Sequence, residues 1–169
     1  MFIKQELEER LKDMELFAKT IGIEPFELYL LGGSASILGN YSDRGTRNFD
    51  FIDLNYPSKY GRVFRLLGTF DILEYESTIL APSYKDRANK LENYEYINIY
   101  ILAPEDLIVS KIIRLSEKDV GDIENLLKQS NIDVIHEIIH EVLKREDLIE
   151  SKKEGFLKKL KVFKEVFNV

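Results

Sequence analysis

Two adjacent glycines at the end of an apolar run constrain this chain more than any other feature. Phe26 to Leu31 is mostly apolar and gives way at once to Gly32-Gly33-Ser34. Glycine adopts positive φ without a Cβ penalty, so such a junction can turn sharply and approach a ligand closely. The run reads as a strand and Ser34 as the N-cap of a short helix beginning at Ala35 and stopped by Gly39-Asn40. Free N–H groups at a helix start suit a phosphate. After the loop Asn40 to Arg47, a second strand is expected from Asn48 to Leu54. Strand residues alternate faces, so Asn48 and Asp50 share one face while Phe49 and Phe51 enter a core. Asp53 falls on the phenylalanine face or past the strand end and is not their partner.

The rest of the chain supplies the frame. Lys4 to Thr20 carries Leu7, Leu11, Met14, Leu16 and Phe17 at helical spacing, with Gly22 and Pro25 beyond its end. Pro57 to Leu67 reads as a helix, Phe70 to Leu80 as one or two short strands, and Pro82 to Asn93 as loop-rich. Tyr96 to Ile101 alternates strictly, with an isoleucine face and a Tyr96, Asn98, Tyr100 face. Pro104 opens a helix whose Glu105 and Asp106 complement its dipole and whose Leu107, Ile108, Ile112 and Leu115 supply a buried side. Helices follow over Ser116 to Leu127, Ile132 to Leu143 and Lys152 to Phe167. Strands followed by helices predict an α+β fold, a mixed sheet flanked by helices. Residues 1–103 form its α/β core and 104–169 a helical part packed on that core.

Composition excludes much chemistry. The 169 residues include no cysteine and only His136 and His140, which removes disulfides, thiol nucleophiles and most histidine-based catalysis. A net charge of −6 argues against a general nucleic-acid binder. The longest apolar run is far short of a membrane span, and Met1-Phe2-Ile3-Lys4 lacks the signal-peptide pattern, so a cytoplasmic protein without a membrane partner is expected.

The glycine turn, followed by Arg44-Gly45-Thr46-Arg47-Asn48-Phe49-Asp50 opening a strand, resembles the signature of the DNA polymerase β-like nucleotidyltransferase superfamily. The similarity is to its minimal bacterial branch, which includes AbiEii-like and MenT-like toxin enzymes. A second block stands in the same order: Glu105-Asp106-Leu107, Ser110-Lys111, Arg114, Lys118-Asp119 and Asp122-Ile123. The resemblance covers residues 26–127 and implies a nucleotidyltransferase-like mixed sheet. It implies transfer of an NMP from an NTP to an RNA or protein acceptor with Mg2+, in a toxin or phage-defence component with an antitoxin partner. Carried over residue by residue, Gly32, Gly33 and Ser34 would contact phosphates, and Arg44 and Thr46 would shape the loop. Asp50 and Asn48 would hold the metal. Lys111 would meet phosphate or developing charge, with Asp122, or Asp119, completing the site.

The sequence departs from that signature where the first acid of an acid-x-acid pair stands as Asn48. An amide oxygen can ligate Mg2+ but brings no negative charge. The third carboxylate is expected on a neighbouring strand, where Asn98, Glu74 and Glu76 are the alternatives. A catalytically degenerate nucleotide- or partner-binding module is therefore the other functional reading. His136-Glu137-Ile138-Ile139-His140 fits a zinc-protease pattern. Such an enzyme also needs a third ligand and a substrate strand, and Ile135, Ile138, Ile139, Val142 and Leu143 make this segment an ordinary amphipathic helix, so no zinc is expected. The lysines of the last helix read as a solvated face over Phe156, Leu160, Phe163 and Phe167.

Overall fold

A computed structural model describes residues 1–169. The chain is α+β, with a five-stranded mixed sheet and eight α-helices. It divides into two compact units: Met1–Leu73 with Arg87–Leu102, and Glu74–Asp86 with Ala103–Val169.

The first unit holds the sheet. Helix α1 (Lys4–Ile21) ends at Gly22, whose φ of 69° makes the left-handed C-cap that glycine tolerates. Strand β1 (Phe26–Leu31) runs directly into α2 (Gly32–Leu38), and β2 (Phe49–Ile52) returns antiparallel to β1 with Leu31 opposite Asp50. A chain of short helical turns, including α3 (Gly61–Phe64), leads to β3 (Phe70–Leu73), which lies parallel to β2. The short helix α4 (Tyr84–Arg87) precedes β4 (Asn89–Lys90) and β5 (Ile97–Ile101). Sheet order is β3-β2-β1-β5-β4, so β1 is central, β2 and β5 flank it, and β3 and β4 are the edges.

Alternation does the sorting. Phe49, Phe51, Ile97, Ile99 and Ile101 are buried with Leu28 and Leu30, while Leu7, Leu11, Met14 and Ala18 of α1 are buried in the same unit. Phe51, Phe64 and Phe70 pack ring to ring, with Phe51 and Phe64 centroids 5.0 Å apart. The Glu15 carboxylate accepts the backbone N–H groups of Glu95, Tyr96 and Ile97, tying α1 to the start of β5.

The second unit is helical: α5 (Pro104–Ile112), α6 (Glu117–Leu127), α7 (Ile132–Leu143) and α8 (Glu150–Phe167). Proline occupies the first turn of α5, as its missing N–H allows. Leu115 falls outside that helix, in a turn with φ 44°, and so does not continue its buried stripe. Ile135, Ile138, Ile139 and Val142 form the buried side of α7, and Phe156, Leu160 and Phe163 that of α8, with Phe167 half-buried. Residues 74–86 join this unit through Arg145, whose guanidinium donates to the carbonyls of Tyr75, Thr78 and Leu80.

Candidate functional site

The polar face of β2 carries the site. Asn48 precedes the strand and Asp50 lies within it, on the face opposite the fully buried Phe49 and Phe51, as period-two alternation requires. Parallel pairing of β2 and β3 sets Asp50 beside Asp71. Adjacent strands lie about 5 Å apart, so two carboxylates on one face become neighbours. The Asn48 side-chain amide joins them: its Nδ2 donates to Asp50 Oδ1 at 2.9 Å and to Asp71 Oδ2 at 2.8 Å.

Asp71, which the sequence does not single out, is the carboxylate that stands in register with Asp50. Asn98 lies on β5, opposite Glu27 at the start of β1, whereas Asp50 lies opposite Leu31 at its end. The signal for Asp71 was a single acid in the apolar run Phe70-Asp71-Ile72-Leu73. Its meaning depends on register, which spacing along the chain does not reveal.

The glycine turn is built against this face. Gly32 has φ 67°, and a Cβ there would stand 2.5 Å from Asp50 Oδ2; a Cβ on Gly33 would stand 2.6 Å from Thr46 Oγ1. Both glycines therefore admit side chains of the following loop and strand. The positive φ of Gly32 lets the strand pass straight into a helix, so α2 begins at Gly32 and not at Ala35. Ser34 is consequently inside the first turn and does not cap it. Its side chain is buried, and its hydroxyl donates to the Leu31 carbonyl. Thr46 exchanges backbone hydrogen bonds with Phe2 and donates its hydroxyl to the Asn48 carbonyl, holding the loop before β2 in place. Arg44 is exposed in that loop. Gly32→Ala should cost about 1–2 kcal/mol through left-handed strain and should also turn Asp50 away, measured as a lower urea midpoint.

The other expected residues gather within the helical unit. Lys111 is nearly buried, with Nζ 3.5 Å from Asp122 Oδ2 and 4.0 Å from Asp119 Oδ1. Asp119 is fully buried and multiply engaged. It accepts two hydrogen bonds from Arg114, at 2.7 and 2.6 Å, and bonds from the Ser116 N–H and hydroxyl in a capping box. Burial alone would push its carboxyl up, but the Arg114 and Ser116 hydrogen bonds outweigh that and hold it at about 2. A carboxyl depressed in the folded state stabilises the fold above its unfolded value and loses that contribution as pH falls. Acid titration of unfolding should show about 2 kcal/mol disappearing between roughly pH 4 and pH 2, a loss absent from Asp119→Asn.

Asn48, Asp50 and Asp71 offer two carboxylates and one amide oxygen, all hard oxygen donors of the kind Mg2+ takes. No group of three His, Cys, Asp or Glu side chains gathers in a metal-holding cluster. On α7, His136 and His140 are both exposed beside the buried isoleucine stripe.

The model of a family described as "Nucleotidyltransferase of unknown function (DUF6036)" matches residues 6–166. No curated protein and no solved structure matches the chain. The family match spans nearly the whole sequence and takes in the glycine turn, the Asn48–Asp50 strand and the Lys111–Asp122 helices; the chain belongs to this nucleotidyltransferase family.

Proposed function

We propose that the protein transfers an NMP from an NTP to a hydroxyl of an RNA or protein acceptor, using Mg2+ held by Asp50, Asp71 and Asn48. The observation that carries this reading is the pair of carboxylates at one register position of two parallel strands, beside a glycine turn that only glycine can make there. Asp50, Asp71 and Asn48 would hold a divalent cation, which would supply charge neutralisation for a triphosphate and Lewis acidity at the phosphoryl group. Asp50 and Asp71 orient that charge, and Gly32 keeps Asp50 unobstructed. Asp71 is the more exposed of the two, and it accepts the proton of the acceptor hydroxyl as the new O–P bond forms and the bond to pyrophosphate breaks. The likeness to AbiEii-like and MenT-like toxin enzymes supports a toxin or phage-defence role controlled by an antitoxin.

The test is transfer of label from each α-labelled NTP into total RNA and protein, with and without Mg2+. Labelled product that requires Mg2+ and Asp50 supports the reading. A second reading, a binding module without turnover, is favoured by Asn48, which removes one negative charge from the donor set. Nucleotide binding without transfer to any acceptor would favour it.

A further inference from the structure

We infer that Asn48 makes cation entry to this site dependent on the nucleotide, so that the metal is captured as its NTP complex and held poorly alone. This rests on the proposed nucleotidyltransferase site and adds an order of binding to it. Asn48 stands between two carboxylates with its N–H donors turned toward both, at 2.9 and 2.8 Å. Those N–H groups do in the free protein what a cation would do: they offset the mutual repulsion of Asp50 and Asp71, paired across β2 and β3. A bare cation must displace both hydrogen bonds, and the amide must turn over before its oxygen can serve as a ligand. In return the ion gains two formal negative charges from these side chains, where an aspartate at position 48 would raise the total to three. Affinity for hard cations follows the ligand charge count. A triphosphate supplies the missing anionic oxygens, so the arriving metal–nucleotide complex can meet the cost that the ion alone cannot.

The inference is read by titrating Mn2+ into the full chain, followed by the loss of the free-ion electron paramagnetic resonance signal, with and without a non-hydrolysable NTP analogue. Without nucleotide, Asn48→Asp should bind Mn2+ at least about tenfold more tightly than wild type, and adding the analogue should narrow that gap. Asn48→Asp sets three carboxylates together, so its melting temperature should rise on adding Mn2+ alone while that of wild type stays unmoved. This second readout holds even where the variant folds poorly without metal. Equal Mn2+ affinities of wild type and Asn48→Asp without nucleotide would overturn the inference while leaving nucleotide binding intact. Failure of both proteins to bind Mn2+ under every condition would instead remove the metal site itself, and this inference with it.

Discussion

Asp71→Ala is expected to lower nucleotidyl transfer on the order of a thousandfold, and Asp50→Ala to do the same, although the two residues lie on different strands. Charge is the reason. The site has two carboxylates and a neutral amide, so either substitution halves its formal negative charge where a site with three acids would keep most of it. Metal-assisted phosphoryl chemistry draws several kcal/mol of transition-state stabilisation from the ion, and each 1.36 kcal/mol lost is about tenfold in rate. Asp71 carries a second burden as the proposed acceptor of the hydroxyl proton. The check is the rate of label transfer at saturating Mg2+, with circular dichroism confirming that the variants fold. A variant within about tenfold of wild type would place the chemistry elsewhere.

The largest stability effect is expected at Arg145. Its side chain is buried, with Nη1 donating to the Thr78 and Leu80 carbonyls at 2.7 and 3.1 Å and Nη2 to the Tyr75 carbonyl at 3.1 Å. Nε and Nη2 also reach the Asp147 carboxylate, each at 3.0 Å, and the guanidinium lies 4.0 Å from the Tyr75 ring centre. Asp147 is exposed enough that its ion pair contributes little by itself. The backbone carbonyls matter more: Tyr75 O also accepts from the Thr78 N–H and Leu80 O from the Tyr75 hydroxyl, whereas the Thr78 carbonyl accepts from Arg145. Arg145→Ala removes a donor from all three and should cost about 2–3 kcal/mol, read as a lower urea midpoint of unfolding. A loss below about 1 kcal/mol would show that water or a shifted loop replaces the guanidinium.

The parts of this protein that follow from local pattern were legible in the chain. The strict alternation of Ile97, Ile99 and Ile101, the proline at the start of α5, and the shared face of Asn48 and Asp50 needed no tertiary information. Ser34 does not cap α2 as its position suggests, because a serine ahead of an apolar run looks alike at a cap and within the first turn of a helix. The positive φ of Gly32, which starts the helix three residues earlier, decides between them. Asp71 was illegible for a different reason. It sits in a four-residue edge strand, and only the parallel pairing with β2 gives it a partner. The attachment of residues 74–86 to the helical unit was hidden likewise, since it depends on Arg145, far along the sequence.

The most direct test of the site at Asn48, Asp50 and Asp71 is calorimetric titration of each NTP, with and without Mg2+, on wild type and on Asp50→Ala. At least one NTP should bind wild type only when Mg2+ is present, and Asp50→Ala should abolish this binding. Nucleotide binding that is indifferent to Mg2+ and survives in Asp50→Ala would rule against that site.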